Sequence, residues 1–356
     1  MLMTATLLAA AVHNEVLADA APPDTLQSVH LLPEWERDNK LILVWPGDLG
    51  DRRHLHNIYR NLFKLLQDNQ EIELLVRSAH TRRRLEGILE RDHPQLSPRV
   101  HALSDLRDIW IKDWAGLPAL NENGRQLLVK FSYSPRYTGG IYYRRAGYDD
   151  RAGLRLGQIM ERPVIFIPLK LHHGNFIHNG EGTGMVFKSI MDDNPDMDRQ
   201  LIQTLFQEQL NINNLILIPD PPGENTGHLD SIARFVTGDT LILAVHRDEE
   251  LNGYLERLND ILAGELDGGF NIMRLPTDRT DDHVENGMPS AVGNYLNFLL
   301  IGGRIYLPQF GIEGDKAALD TMRKGLPEYE IVPFKSRLID DMARKGGVLN
   351  CISVVY

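Results

Sequence analysis

The apolar residues of this chain fall into short runs that end at turn-forming residues, as buried strands do. Segments with the apolar spacing of an amphipathic helix lie between several of the runs. In residues 54–68, for example, Leu55, Ile58 and Leu62 lie on one face of such a helix. The predicted strands cover residues 41–45, 73–76, 127–131, 164–168, 215–218, 241–245, 295–301, 305–307 and 349–355. The predicted helices cover residues 54–68, 197–210, 248–266 and 315–325.

Strands that alternate with helices predict an α/β fold. Several strand pairs are joined too closely for a crossover, so we expect mixed pairing within the sheets. A strand–strand–helix–strand rhythm recurs loosely, about five times. No long linker divides the chain, so we expect one domain over residues 29–356 and a disordered or loosely docked extension over residues 1–28.

Charge and hydropathy restrict the possible partners. The 356-residue chain carries a formal net charge of −11, which argues against a nucleic-acid partner, because phosphate binding needs a basic surface. No apolar run reaches the ~20 residues that span a bilayer, so no membrane partner is expected. The apolar stretch at residues 6–12 lacks a preceding Lys or Arg, which favours a cytoplasmic location over export. A homo-oligomer stays possible.

The only cysteine of the chain is Cys351, so an intrachain disulfide cannot form. Such a residue is either a small buried apolar group or a reactive thiol. Gly346 and Gly347 precede it, and glycines let a backbone turn or approach another group closely. A reactive thiol needs a base or a positive neighbour, which must come from elsewhere in the chain.

Two segments offer partners for the thiol. Gly227-His228-Leu229-Asp230 follows a predicted strand, and in an extended segment His228 and Asp230 would project to one side. Asp113 lies in residues 107–116, where charged residues interrupt aromatic and aliphatic ones in a pattern typical of neither helix nor strand. Taken alone, each of these residues could equally be structural.

Two further groups of polar residues resemble metal ligands only superficially. They are Asp51 with His54 and His56, and Asp281-Asp282-His283 with Glu285. Neither has the paired spacing of a known zinc or iron site, so we expect no metal and no other cofactor.

The segments above, in this order, resemble the agmatine deiminase and bacterial (Porphyromonas-type) peptidyl-arginine deiminase family of the pentein superfamily. The resemblance runs from residues 32–36 to the terminal strand and therefore covers most of the chain. Residues 108–116 are similar to the family's Asp-Ser-Trp-Ala-Arg-Asp-Thr-Gly. The other matching segments are Gly174-Asn175, Gly227-His228-Leu229-Asp230, Ala233-Arg234-Phe235, Asn297-Phe298, Pro308-Gln309-Phe310-Gly311, and Gly346-Gly347 up to Cys351.

The resemblance implies a pentein α/β-propeller, with about five strand–strand–helix–strand units around a pseudo-fivefold axis and a central active site. It implies hydrolytic deimination of a small cationic guanidino substrate, with agmatine, which yields N-carbamoylputrescine and ammonia, as the leading one. Deimination of peptidyl-arginine, amidino transfer and a non-catalytic binding module remain alternatives.

The resemblance also assigns roles to residues. Cys351 would be the nucleophile and His228 the general acid and base, while Asp113 and Asp230 would grip the guanidinium group. The remaining family positions at the substrate correspond to Trp110, Asn297, Asn175 and His172.

Three departures from the family pattern bear on the site. His172 stands where many members carry Glu, Lys112 where they carry Arg, and Asn350 where they carry His. The family Glu is expected to orient the catalytic histidine, so the partner of His228 is expected to differ here.

Overall fold

The computed structural model describes residues 28–37, 39–66, 70–135, 141–222, 226–246, 249–266, 269–277, 284–285 and 288–356. The expected extension, residues 1–28, lies outside these ranges apart from Ser28. Among the helices of the described residues, none combines the length and the apolar content that a membrane crossing requires.

The strands of the described residues form six small sheets, with the orders β1-β5-β6-β7, β10-β9-β8, β11-β12-β13, β14-β15, β16-β17-β18 and β19-β2-β3-β4. In chain order, β1 to β19 are His30–Leu31, Lys40–Val44, Glu71–Val76, Arg99–Ala102, Leu117–Leu120, Gln126–Ser132, Val164–Lys170, Phe176–His178, Thr183–Phe187, Asn214–Ile218, Ala233–Phe235, Thr240–Val245, Asn271–Pro276, Val284–Glu285, Met288–Pro289, Leu299–Ile301, Arg304–Gln309, Glu330–Lys335 and Ser353–Val355.

One pairing pattern recurs in five of these sheets. Four antiparallel hairpins, β5–β6, β8–β9, β11–β12 and β16–β17, are each extended by a strand parallel to the second member, namely β7, β10, β13 and β18. The fifth case joins distant parts of the chain, because β19 pairs antiparallel with β2 and β3 pairs parallel to β2. The predicted α/β class is therefore confirmed, and the pairing is mixed as expected.

A helix connects the two parallel strands in each case, because parallel neighbours need a crossover. The longer helices are His56–Phe63, Ala79–Asp92, Ile141–Ile159, Arg199–Leu210, Glu249–Glu265 and Gly314–Gly325, and the shorter ones are Ile111–Trp114, Ile190–Asp193 and Ile339–Ala343. Three of the four predicted helices lie within two residues of their predicted bounds, whereas the first begins two residues late and ends at Phe63 instead of residue 68.

Two predicted strands begin too early. The strand expected at residues 295–301 covers only Leu299–Ile301, and the one expected at residues 349–355 covers only Ser353–Val355. In the first case, the Leu296 backbone N–H donates to Asn294 Oδ1, so the chain turns before this strand. In the second, Asn297 Oδ1 accepts hydrogen bonds from the backbone N–H groups of Val348 and Asn350. These donors are thereby withdrawn from any strand ladder, so Cys351 lies in a turn that precedes the last strand.

The largest apolar cluster connects the beginning and the end of the described chain. It contains Leu41 to Val44 of β2, Trp114, and Val354 to Tyr356, all of which are buried. Lys112 donates its backbone N–H to the Cys351 carbonyl at 3.2 Å, which fixes the short helix Ile111–Trp114 against the cysteine turn.

Two glycines of the helix Ile141–Ile159 test how tightly this region is packed. A methyl group at Gly153 would meet the carbonyl oxygen of Trp114 and the Lys130 side chain, whereas one at Gly147 would meet no described atom within 4 Å. We expect Gly153→Ala to lower the free energy of unfolding by about 1–3 kcal/mol through overpacking. We expect Gly147→Ala to raise it by about 0.5–1 kcal/mol, because alanine favours helix. Urea denaturation of both variants measures this, and equal effects would contradict the packing described.

Candidate active site

The turn that carries Cys351 is held by one amide side chain. Asn297 Oδ1 also accepts from the Cys351 N–H at 3.3 Å, and Asn297 Nδ2 lies 3.0 Å from Cys351 Sγ, within hydrogen-bonding distance. A Cβ atom at Gly347 would lie 2.8 Å from Cys351 Sγ and 2.9 Å from Trp110 Cζ3. The glycine is therefore required by the close approach of the thiol and the Trp110 ring.

His228 and Asp230 lie at a turn of 3-10 helix, Leu229–Ser231, and not in the extended segment that the sequence suggested. The condition of an extended segment is not met, because the chain bends here and Ser231 Oγ donates to the His228 carbonyl at 2.7 Å. Both residues nevertheless face the same cleft. Asp230 Oδ2 accepts a hydrogen bond of 2.8 Å from Asn350 Nδ2, which connects this turn to the residue before Cys351.

Asp113 reaches the same place from the helix Ile111–Trp114. Its Oδ1 lies 3.6 Å from His228 Nε2, and both side chains are largely buried. Gly174 makes room for this pair, because a Cβ atom there would lie 3.0 Å from His228 Cδ2 and 3.3 Å from Asp113 Oδ1. Four segments distant in sequence thus converge on one small volume.

His172, at the position where the resemblance implies a Glu, lies against the histidine of the site. The ring centroids of His172 and His228 are 4.8 Å apart, and the ring planes are inclined by 51°. One ligand atom each from Asp113, His172 and His228 lies within 4.8 Å of the other two, so these three buried residues could hold a metal ion.

Asn175 has a different contact from the one that the resemblance implied. Its Oδ1 accepts from the Phe187 N–H at 2.9 Å, which braces the hairpin β8–β9. A contact of Asn175 with substrate stays a prediction, as do the substrate contacts of Trp110, Asn297 and His172.

Of the two groups set aside as metal ligands in the sequence, neither forms such a cluster among the described residues. His56 Nδ1 lies 2.9 Å from the Arg53 carbonyl oxygen. Residues 281–283 lie outside the described residues.

The electrostatics of the site are dominated by buried carboxylates. Burial raises the pKa of the Cys351 thiol well above its ordinary value, and the nearby charges of Asp230 and Asp113 raise it further. Burial also raises the pKa of Asp230, although His228 opposes the shift. The thiol is therefore protonated while no cation occupies the site.

A buried ionic network that the sequence did not predict lies on the far side of Asp230. Glu34 pairs with both Lys112 and Arg234, and Arg234 Nη1 also donates to the carbonyl oxygens of Leu296 and Phe298 at 2.8 and 2.6 Å. Burial alone would raise the pKa of Glu34, but Arg234, Lys112 and Arg37 hold it well below its ordinary value. Glu34 and Arg234 belong to matching family segments, which was the one signal of this network in the sequence.

The cleft beside the site is lined by the side chains of His228, Asp230 and Asn297, and by Gly346. Further lining residues, mostly uncharged, are Pro221, Pro222, Thr226, Leu251, Pro289, Ala291 and Val292. Asp113 and Cys351 are buried and are not among the residues that line this cleft. Two acids, an imidazole and a thiol grouped beside such a cleft can bind a planar cation, transfer protons and attack an electrophilic carbon.

Comparison with known proteins identifies the class to which this site belongs. Residues 30–355 match the family described as Porphyromonas-type peptidyl-arginine deiminase. The chain belongs to this family, whose members are hydrolases acting on C–N bonds of linear amidines, and the resemblance noted in the sequence is confirmed.

Individual relatives agree over nearly the whole length. The agmatine deiminase of Pseudomonas syringae is 23% identical over 91% of this chain and 94% of its own. The solved structure of Enterococcus faecalis agmatine deiminase superposes with a TM-score of 0.79 at 18% identity, covering 94% of this chain and 99% of its own. That of the C. jejuni enzyme gives 0.76 at 19% identity, covering 94% and 98%. At these identities, the structural matches show a shared fold.

The pKa of the thiol generates a test. Asp230→Asn should lower the pKa of Cys351, because a carboxylate that opposes the thiolate is removed, and Asp113→Asn should lower it less. At a fixed pH below the pKa, a pKa lower by about 1 makes the thiolate fraction about tenfold larger. Iodoacetamide alkylation, followed by mass spectrometry from neutral to alkaline pH, should therefore accelerate in the order wild type, Asp113→Asn, Asp230→Asn.

Ser231→Ala is the matched control, since it changes the same cleft without changing its charge. If Ser231→Ala accelerates alkylation as much as Asp230→Asn, accessibility and not thiol acidity controls the rate.

Proposed function

We propose that this chain hydrolyses the guanidino group of agmatine to N-carbamoylputrescine and ammonia. The observation that carries the proposal is the presence of two buried carboxylates, Asp113 and Asp230, whose charges both act on the single buried thiol. Relatives that cover nine tenths of the chain are named agmatine deiminases, which supports this substrate.

The carboxylates match the chemistry of the substrate. A guanidinium group is planar and permanently cationic, and carboxylates bind its N–H groups in bidentate fashion. Asp113 and Asp230 hold it by its edges, so that its central carbon faces Cys351. The bound positive charge offsets the two negative charges that raise the pKa of the thiol, so substrate binding favours ionisation of Cys351.

The reaction then runs in two halves. The thiol proton passes to His228, the Cys351 thiolate attacks the guanidinium carbon, and the imidazolium returns the proton to the departing nitrogen, which leaves as ammonia. The product of this half is a covalent thiouronium. A water molecule gives a proton to His228 and attacks the same carbon. The S–C bond breaks as the imidazolium protonates the departing sulfur, and the second water proton passes through solvent to the released ammonia, which leaves the ureido product and the regenerated thiol.

Deimination of arginine within peptides is the second candidate, and the description of the matched family favours it. This reaction would use the same Cys351, His228, Asp113 and Asp230, and it would differ only in the part of the substrate that lies at the mouth of the cleft. Amidino transfer would replace the water by an amine, and a non-catalytic binding module would not need the thiol.

We also propose that the five sheets with the shared pairing pattern surround a pseudo-fivefold axis that passes through the site, within one catalytic domain of residues 29–356. The pairing of β19 with β2 supports this arrangement, because it joins the last unit to the first. A cytoplasmic location is part of the same proposal.

Activity assays distinguish these reactions. Wild-type protein incubated with agmatine, free arginine and a blocked arginine peptide should release ammonia and ureido product in equal amounts, fastest from agmatine. Cys351→Ala should reduce turnover by at least about 10³-fold, because the nucleophile is lost, with an unchanged melting temperature. A correctly folded wild type that turns over none of the three substrates would contradict both deiminase hypotheses.

The replacement of the family Glu by His172 generates a separate expectation. Because the His172 ring lies against His228, His172→Ala should change the pH profile of kcat while substrate binding changes less. An unchanged pH profile would place His172 outside the proton-transfer network.

A further inference from the structure

Asp113, His172 and His228 form a constellation that suits a metal ion as well as it suits a guanidinium group. Each offers one ligand atom, the three atoms lie within 4.8 Å of one another, and all three residues are buried. They come from three separate segments: the helix Ile111–Trp114, the residue before the turn His173–Asn175, and the residue before the turn Leu229–Ser231.

The distances fit first-row transition metals. Ligand atoms about 2.1 Å from a tetrahedral zinc ion are about 3.4 Å apart. Asp113 Oδ1 and His228 Nε2 are separated by 3.6 Å, so these two ligands are already close to a tetrahedral edge. The ligand nitrogen of His172 must move toward the other two ligand atoms by at most about 1.4 Å to reach this tetrahedral spacing. A rotation of the imidazole ring provides that movement.

The surroundings of the cluster favour a doubly charged cation. Asp113 is itself a member of the cluster, and Asp230 follows His228 by two residues and lines the same cleft. The ammonium group of Lys112, the residue next to Asp113, is engaged by Glu34 instead. Gly227 leaves space for the His172 ring, because a Cβ atom there would lie 3.2 Å from His172 Nε2.

We propose that Asp113, His172 and His228 bind one divalent first-row transition-metal ion, for which zinc is the test ion, and that this ion inhibits the enzyme by competing with substrate. Two imidazoles and one carboxylate suit zinc and its neighbours better than magnesium or calcium, which prefer oxygen ligands. The binding stands independently, whereas the inhibition rests on the proposed function, since it assigns Asp113 and His228 to substrate and proton transfer.

Calorimetric titration of metal-free protein tests the binding. Zinc should bind with a stoichiometry of one ion per chain and raise the melting temperature, whereas magnesium at the same concentration should do neither. His172→Gln should weaken zinc binding at least about tenfold, since the loss of even an outer-shell partner costs 10–100-fold. His80→Gln is the matched control, because it removes an exposed histidine from the helix Ala79–Asp92.

Two further variants distinguish zinc binding by these three ligands from zinc binding by the Cys351 thiol. Asp113→Asn should weaken zinc binding, whereas Cys351→Ala should retain it. Cobalt(II) absorption should show a tetrahedral spectrum in wild type and Cys351→Ala and lose it in His172→Gln, which reports the ligand set even if one variant is less stable. Zinc binding that persists in His172→Gln, or is lost in Cys351→Ala alone, overturns the proposal, as does the absence of stoichiometric binding.

Kinetics test the inhibition. Zinc should raise the apparent KM for agmatine without changing kcat, and His172→Gln should be correspondingly less sensitive than His80→Gln. Inhibition that lowers kcat alone would show that the ion and the substrate do not share the cluster. A protein that binds zinc through His172 but turns over no guanidine would retain the metal site and refute the proposed function.

Discussion

The site depends on holding two carboxylates beside one thiol in a buried volume. An ionised carboxylate without a partner is expensive to bury, so the fold must stabilise Asp113 and Asp230 while leaving them able to bind a cation. Asn350 donates one hydrogen bond to Asp230, and His228 lies near Asp113. Neither contact is a permanent positive charge, and although the charges of Lys112 and Arg234 act to lower the pKa of Asp230, burial outweighs them and keeps it raised. A cationic ligand therefore removes much of the cost of burying the two acids.

The chain possesses cations close by, but the fold assigns them to another acid. Lys112 and Arg234 both pair with Glu34 on the far side of Asp230. If either were directed into the cleft, it would neutralise the carboxylates and remove their affinity for a guanidinium group. Glu34 thus has an indirect effect on the site: by engaging two cations, it leaves the substrate side negative. Lys112 and Asp113 are adjacent in the helix Ile111–Trp114, yet they meet different partners: Lys112 pairs with Glu34 and Asp113 lies near His228.

The thiol is positioned by polar backbone contacts and not by regular structure. The single oxygen of Asn297 gathers the N–H groups of Val348, Asn350 and Cys351, which forces the turn in which Cys351 lies. The amide nitrogen of the same side chain lies beside Sγ. Because this amide both shapes the turn and contacts the sulfur, the position of the proposed nucleophile follows from one side chain 54 residues away.

Local sequence patterns predicted most of the strands and helices, whereas they did not predict contacts between segments that are distant in the chain. Pattern and length placed β2 and the helix Arg199–Leu210 within two residues. β2 is buried on both faces and forms a continuous apolar run, whereas the helix buries one regular stripe. The helix Ile141–Ile159 was missed since Gly147, Gly153 and Gly157 interrupt its helical signal, and at Gly153 the reason is tertiary, namely contact with Trp114. Glu34 meets Arg234 across 200 residues, and no local pattern encodes such a pairing. For the site, the motifs indicated which residues converge, but the bend at His228 and the bracing contact of Asn175 needed coordinates.

The histidine at position 172 changes the balance that the two carboxylates establish. A glutamate there would add a third negative charge beside His228 and strengthen the attraction for any cation without regard to its shape. An imidazole contributes no negative charge, so retention of a guanidinium group depends more heavily on Asp113 and Asp230. At the same time it adds a nitrogen donor 4.8 Å, ring to ring, from a second imidazole, and nitrogen donors favour transition metals over planar organic cations. Compared with a glutamate at this position, His172 therefore lessens the electrostatic attraction for the proposed guanidino substrate and adds a ligand for the proposed metal ion.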